Sequence, residues 1–400
     1  MKSINNLPKI DIVILAGGKG SRIKNYLNNS CKPMINFNGR PFIDYIIKKV
    51  SSYPINHIHI MAGYKGNRIY KKYNNKYQNF VPISCYVEKK SMGTGGCLKL
   101  IEKKLTKNFI LINGDTYFDI DYSFFFNLRK IKKNLIILSK DKFYQDNKKL
   151  NKLNLSRNKL VYFDKKSEYF NGGIYYLDKS IISKIKKIKK KSISIEKEII
   201  EKEILRRKIF GVIKDDFFID IGTEKNLKRG KFLISKISRK AAIFLDRDGV
   251  INYDKGYTHK IKDFKFKPKI IEFLKDKTKK NYYLFIVTNQ AGIGHGYFSN
   301  KDFMLLQINL KKFLFKNNVL IHDVRYCPFH KDAKIRKYRK LSNYRKPGNL
   351  MIENLKKNWN IDIRRSIMIG DKLSDKKCAN KSDLKFFYSN ESLINLKNSC

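Results

Sequence analysis

Asp246 and Asp248 stand two residues apart in FLDRDGVIN (residues 244–252), where the apolar run AAIFL ends. Side chains at i and i+2 of a strand point the same way, so one crevice can receive both carboxylates. Such a pair suits a nucleophile beside a general acid/base, or a Mg²⁺ site. Three later segments supply what phosphoryl transfer through an aspartyl phosphate needs. Thr288-Asn289-Gln290 closes the run YYLFIV and offers a hydroxyl and an amide to phosphate oxygens. Arg345-Lys346-Pro347-Gly348 brings fixed positive charge, with Pro and Gly placed to open a helix. SIMIGDKLSD ends another apolar run at Gly370-Asp371, with Asp375 following, which suits a third carboxylate on the Mg²⁺ side.

A different chemistry begins near the start. The run IDIVILA leads into Gly17-Gly18-Lys19-Gly20-Ser21-Arg22, and ten residues past Arg22 comes Lys32-Pro33-Met34. Glycines let backbone N–H groups approach phosphates closely, and Arg22 suits a polyphosphate. The loop is neither a Walker A sequence nor a true G-x-G-x-x-G. Further along, NFILINGD ends at Asp115 and FFIDIGT carries Asp220, each closing a strand-like run. Taken singly, Asp115 reads as a turn residue, Lys165 as a solvated lysine and Glu196 as a surface helix residue. Their order along the chain argues otherwise.

The succession D-x-D, T-N-Q, R-K-P, G-D-x-x-x-D resembles the haloacid dehalogenase (HAD) phosphatase superfamily. FLDRDGVIN, TNQAGIGHGYF, CPFH, RKPG and IMIGDKLSD resemble its heptose-bisphosphate and histidinol-phosphate phosphatase branch, over roughly residues 241–389. The resemblance implies that Asp246 attacks phosphorus, while Asp248 protonates the leaving sugar oxygen and then deprotonates water. Mg²⁺ would be held by Asp246, Asp371 and the backbone carbonyl of Asp248. Thr288, Asn289 and Lys346 would bind the transferring phosphoryl, and Arg345 the second phosphate of the substrate. Many relatives bind zinc through C-x-H and C-x-C. Here Cys327 and His330 remain, but Phe329, Ser342 and Tyr344 fill the other positions. Two ligands do not make a tetrahedral site, so no zinc is expected. His295 in GIGHG stands where relatives often carry arginine.

The pairing G-G-x-G-[ST]-R with K-P resembles the sugar-1-phosphate nucleotidyltransferases, over roughly residues 9–231. That resemblance implies phosphate contacts from Gly17, Gly18, Gly20 and Ser21, with Arg22 and Lys32 stabilising charge in the transition state. Glu88, Gly93, Thr94 and Gly95 would contact base and ribose. Asp115 and Asp220 would bind Mg²⁺, Lys165 the sugar phosphate, and Asn171, Gly173 and Glu196 the sugar. The implied reaction is attack of a sugar-1-phosphate oxygen on the α-phosphorus of an NTP, expelling pyrophosphate.

These residues need strand ends to hold them. Apolar runs alternate with helical stretches in both halves, predicting an α/β protein of two domains. The resemblances imply a Rossmann-like, GT-A-like mixed sheet followed by a HAD-like Rossmannoid parallel sheet. Length supports two cores, divided as residues 1–233, a linker 234–240 (ISKISRK) and 241–400. Lys plus Arg number 87 against 35 acidic residues, a net charge of +52 that by itself suggests nucleic acid or an anionic surface. The lysines are spread along nearly the whole chain, which reads as compositional bias, so neither nucleic acid nor membrane is expected as partner. The one dense run, SKIKKIKKKS (residues 183–192), suits a surface helix.

Six scattered cysteines without a C-x-x-C, no apolar leader in MKSINNLPK and no long apolar run together predict a cytoplasmic protein. A bisphosphate phosphatase can make the sugar 1-phosphate that a nucleotidyltransferase consumes. The expectation is therefore conversion of D-glycero-D-manno-heptose 1,7-bisphosphate to heptose 1-phosphate, then to a nucleotide-heptose for surface polysaccharide; resemblance to heptose-1-phosphate guanylyltransferases implies GTP and the α-anomer. Alternatives are another sugar such as mannose or glucose, a histidinol-phosphate-type phosphatase, or a basic nucleic-acid-binding scaffold with relic domains.

Overall fold

The structure, a computed structural model, describes residues 7–27, 30–128, 134–140 and 152–389. The reading of the N-terminus as leaderless rests largely on residues 1–6, and it and Cys400 lie outside the described residues. The chain forms two compact units, one of Pro8–Val50 with Ile55–Phe232, the other of Leu233 onward with Ser51–Pro54.

In the first unit four parallel strands lie side by side in the order Asn108–Asn113, Ile10–Ala16, His57–Ala62, Val81–Val87. Every residue of Ile10–Ala16 is buried, as expected of a parallel strand covered on both faces. Tyr169–Asp178 pairs antiparallel with Asn108–Asn113 and makes the sheet mixed, as expected. Leu135–Ser139 continues from it antiparallel and takes Phe210–Lys214 in parallel. A short antiparallel ribbon joins Thr116–Phe118 to Phe218–Asp220, with Asp220 opposite Thr116. That register brings Asp220 beside Asp115. The loop after Lys32 hides a hairpin, Asn36–Phe37 against Arg40–Pro41, before the helix Phe42–Ser51. Asn38 and Gly39 both have positive φ (52° and 85°), the demand of a tight two-residue turn.

The second unit is a five-stranded parallel sheet in the order Asp323–Cys327, Tyr283–Asn289, Ala242–Leu245, Ile367–Gly370, Lys385–Tyr388. Ala242–Leu245 comes first in sequence yet lies in the middle. Successive strands therefore build out one side and then the other, which opens a crevice beyond the carboxyl end of the central strand. Phe244, Phe285, Met351, Leu355 and Trp359 fill the core below it.

One expectation is given its local structure and one is corrected. The helix Glu224–Ser238 runs through most of the expected linker. The lysine run 183–192 is helical only as the end of Ile181–Lys186. Like charges three and four residues apart oppose a helix. Lys184, Lys186 and Lys190 instead pair with Glu203, Glu102 and Glu198, and Ile188 packs against the core. Among the described residues no helix is long and apolar enough to cross a membrane, and the five described cysteines are buried and unbridged.

Candidate active sites

The crevice of the second unit opens at Asp246, whose backbone N–H donates to Ile369 O on the neighbouring strand (3.0 Å). Its Oδ2 lies 2.9 Å from Lys346 Nζ, and the same ammonium is 2.7 Å from Asp375 Oδ1. Lys346 and Asp375 are each 1% exposed at the side chain. Burial works against the charge of Lys346, yet Asp246 and Asp375 hold its pKa above the usual lysine value. Burial pushes Asp246 up from the carboxylate range, with Lys346 pulling it down. Asp371 is likewise raised, chiefly by burial. Oxygens of Asp246, Asp371 and Asp375 all lie within 4.8 Å of one another. Asp371 Oδ1 is buried without a hydrogen-bond partner. A hard-oxygen cluster with an orphaned acceptor fits Mg²⁺. A Cβ at Gly249 would stand 2.1 Å from Asp371 Oδ2, so only glycine serves there.

The Asp248 side chain is not part of that cluster. Its Oδ1 accepts from Arg247 Nε (3.1 Å), Arg247 Nη2 (2.8 Å) and Asn252 Nδ2 (2.9 Å). Its Oδ2 accepts from Arg247 Nη2 (2.7 Å) and Gln290 Nε2 (3.0 Å). These contacts take up the Asp248 carboxylate and remove it from the candidate ligands. Thr288 is buried at the end of its strand and accepts from Gln290 Nε2 (2.9 Å). Asn289 departs from the expectation of phosphate binding. Its amide donates to Lys346 O (3.1 Å) and accepts from Lys346 N (3.0 Å), clamping the lysine's backbone. The helix after R-K-P opens later than the Pro and Gly suggested, at Leu350.

Arg345 is half-buried, its Nη1 3.5 Å from Phe329 O. His330 lies with its ring 5.2 Å from that of His295, and burial together with Arg345 and His295 lowers its pKa. Where relatives would carry zinc ligands, Phe329 and Tyr344 pack against the core that contains Cys327. Lys340 lies 4.2 Å above the Phe329 ring.

In the first unit Lys32 is buried between two carboxylates, 2.5 Å from Asp115 Oδ2 and 3.3 Å from Asp220 Oδ1. Burial and the charge of Asp115 raise Asp220, against the pull of Lys32. A Cβ at Gly222 would meet Asp220 Oδ1 at 2.8 Å, Lys32 Nζ at 3.0 Å and Arg22 Nη2 at 3.3 Å. Arg22 therefore shares this corner, and Gly222 leaves room for it. Two acceptor-rich carboxylates facing one ammonium also fit a divalent cation. Gly17 and Gly18 lie in the loop after Ile10–Ala16, Gly20 turns it with φ of 64°, and Ser21 opens the short 3-10 helix Ser21–Tyr26. Gly93, at φ of 77°, packs so closely on Ile193 that a Cβ would lie 2.4 Å from its carbonyl oxygen. Gly95 N–H donates to that same oxygen (2.8 Å).

Thr94 Oγ1 donates to Glu196 Oε2 (3.0 Å), joining an expected nucleotide contact to an expected sugar contact. Glu88, raised by burial, accepts from Met92 N–H (3.1 Å). Two expected sugar-side residues stand apart. Lys165 is exposed and no described contact ties it to the carboxylate pair. The side chain of Asn171 is taken up locally, accepting from Gly173 N–H (2.9 Å) and donating to Tyr175 Oη (2.6 Å) at a strand irregularity. Gln290, Arg247, Asn252 and Gly222 were not singled out as site residues. The only signal for Arg247 was its place between two chemically loaded aspartates.

Each α/β unit ends strands in carboxylates bridged by a buried lysine, an arrangement suited to phosphoryl chemistry. The Nucleotidyl transferase family matches residues 11–234, and the Polynucleotide kinase 3 phosphatase family matches residues 241–392. The chain is 38% identical over 149 residues to D-glycero-beta-D-manno-heptose-1,7-bisphosphate 7-phosphatase of Rhodopseudomonas palustris, covering 37% of this chain and 83% of that protein. It is 44% identical over 132 residues to D-glycero-alpha-D-manno-heptose-1,7-bisphosphate 7-phosphatase of Photorhabdus laumondii, covering 33% and 72%. A putative glucose-1-phosphate thymidylyltransferase from Bacillus anthracis superposes with a TM-score of 0.50 at 22% identity, covering 56% of this chain and 94% of that one. That likeness concerns the fold. The chain thus belongs to the Nucleotidyl transferase family, and its second unit to the family of the heptose-1,7-bisphosphate 7-phosphatases.

Proposed function

We propose a bifunctional enzyme. The second unit removes the 7-phosphate of D-glycero-D-manno-heptose 1,7-bisphosphate, and the first transfers GMP from GTP to the resulting heptose 1-phosphate. The observation that carries it is the occurrence in one chain of the Asp246–Lys346–Asp375–Asp371 cluster and the Lys32–Asp115–Asp220 cluster. The product of the first chemistry is the acceptor of the second. The similarity of the second unit to heptose-bisphosphate phosphatases supports the sugar. Choice of GTP and the α-anomer follows the resemblance of the first unit's motifs. Catalytic division near residues 234–240, a cytoplasmic site of action where NTP and sugar phosphates occur, and use of the product in surface polysaccharide belong to the same reading.

At the second site an Asp246 oxygen attacks phosphorus and the P–O7 bond breaks, with Asp248 giving its proton to O7. Water then attacks the aspartyl phosphate, Asp248 takes the water's proton, and the Asp246–phosphorus bond breaks to release phosphate. Lys346 and the Thr288 hydroxyl neutralise the equatorial oxygens. At the first site a heptose 1-phosphate oxygen attacks the α-phosphorus and the bond to pyrophosphate breaks. Arg22 and Lys32 offset the charge that develops. Asp246 and Asp371 in the second site, and Asp115 and Asp220 in the first, would hold Mg²⁺, which would supply the remaining positive charge in each.

The test separates the two sites. With heptose 1,7-bisphosphate, Asp246→Asn should lower phosphate release by about 10³-fold or more. Given heptose 1-phosphate and GTP directly, the same variant should release pyrophosphate at the wild-type rate, and Asp115→Asn should not. Loss of both reactions from either change contradicts the division.

A further inference from the structure

Gln290 joins Asp248 to Thr288. It follows the strand Tyr283–Asn289, is 3% exposed, and donates its backbone N–H to Cys327 O (2.8 Å). Its Nε2 reaches Asp248 Oδ2 at 3.0 Å and Thr288 Oγ1 at 2.9 Å. In its ionised form, the one that takes the water's proton, Asp248 only accepts, so the amide nitrogen then faces it, and a flipped amide would set oxygen against oxygen. Two N–H bonds meet two partners.

The consequence falls first on Thr288. A hydroxyl has one proton and two lone pairs. Accepting from Gln290 occupies a lone pair and leaves the proton free to be donated. Thr288, 1% exposed, sits at the strand end beside Asp246, where phosphoryl oxygens are the acceptors at hand. On its other side Gln290 completes the hold on Asp248. Arg247, 0% exposed, grips that carboxylate with Nε and Nη2 and anchors itself on Thr258 O (2.7 Å) and above the Phe303 ring (5.7 Å). Five hydrogen bonds from three side chains allow the Asp248 carboxylate one orientation.

We propose that Gln290 is a positioning residue. It commits the Thr288 hydroxyl to donate toward the transferring phosphoryl, and with Arg247 it aims Asp248 for proton exchange with the leaving group. The inference rests on the phosphatase reading of this site. A sequence of strand residues ending in an amide does not show it, because the two contacts come from the strand's own end and from the loop after the central strand.

The experiment compares the full-length protein with Gln290→Met and Gln290→Glu on two esters. Heptose 1,7-bisphosphate has an alkoxide leaving group that needs a proton, and p-nitrophenyl phosphate has one that does not. Gln290→Met should lose about 10²-fold in kcat on the bisphosphate, since proton transfer contributes that order, and less than about 5-fold on the aryl ester. Gln290→Glu should fall at least about 10-fold below Gln290→Met on both, because its carboxylate accepts the Thr288 hydroxyl's hydrogen bond and repels Asp248. Equal losses on the two esters in Gln290→Met, or a Gln290→Glu as active as Gln290→Met, overturn the proposal. Gln290→Asn keeps the amide one methylene short and is read on the same pair of esters, so a Gln290→Met that fails to fold does not remove the test. Hydrolysis that survives Asp246→Asn would overturn the phosphatase reading, and the role of Gln290 with it. An inactive Asp246→Asn beside equal losses in Gln290→Met would overturn the role alone.

Discussion

Lys346 bridges Asp246 and Asp375 in a place where all three are shut away from water. Breaking a buried pair by removing one partner leaves a charge uncompensated and costs about 3–5 kcal/mol. With a chelator present, Lys346→Met should therefore lower the melting temperature of the protein by several degrees. Adding Asp375→Asn removes one of the two stranded carboxylates and should recover part of that loss, a non-additivity expected of residues sharing one network. A melting temperature unchanged by Lys346→Met, or strictly additive losses, would show the bridge to be structurally idle. At this scale the sequence was most legible where residue type and chemistry coincide. Asp246, Lys346 and Asp371 meet as their order implied. Side chains that serve each other were not legible. Asn171 and Asn289 offer the same amide to a ligand or to a neighbouring backbone, and only the fold decides which. A buried Arg247 looks in sequence like any solvated arginine.

At the scale of elements, strand ends were readable because an apolar run that stops at an aspartate or glycine has few other uses. Helix ends were less so, since the lysine run 183–192 has helical spacing but too little opposite charge nearby in sequence to hold it. The reverse surprise lies on the strands Ile10–Ala16 and His57–Ala62, which pair Asp11 with His57 across the sheet. His57 and His59 stack at 4.3 Å, and His59 Nε2 is 3.7 Å from Asp11 Oδ2. Burial of Asp11 pushes its pKa up, but the nearby His59 ring and hydrogen bonds from Asn56 and the Thr106 backbone outweigh this and lower it. Burial, with the charge of His59 adding, lowers His57 to about 4. An unfolded histidine titrates near 6.5. As pH falls from about 6.5 toward 4, the unfolded chain takes up a proton that the folded chain refuses, so stability declines over that window. The contribution of Asp11 persists to lower pH and fades only near and below the unfolded aspartate value. His57→Gln keeps a partner for Ser84 Oγ, which lies 2.9 Å from His57 Nε2. The melting temperature of this variant should depend less steeply on pH between 6.5 and 4.5 than that of the wild type. Parallel slopes would assign the acid sensitivity elsewhere.

For the whole molecule the open question is what a net charge of +52 does. Fold and motif say nothing about it, because solvated lysines are compatible with either unit. Every proposed substrate and product is a phosphate anion, so a positive field should raise encounter rates without touching the bound chemistry. The Debye length is about 10 Å at 0.1 M salt and about 3 Å at 1 M, so that field is removable. For each reaction, kcat/KM should fall severalfold between about 0.03 and 0.5 M potassium chloride while kcat hardly moves. Screening depends on ionic strength alone, whereas an anion that competes for the lysine-bridged sites depends on its identity. Chloride and sulfate matched in ionic strength should then give the same decline in kcat/KM. A steeper loss in sulfate would mark competition at the phosphate sites themselves. A flat response in both salts would leave the lysines as a bias of composition, tolerated because most of it falls on solvated surface.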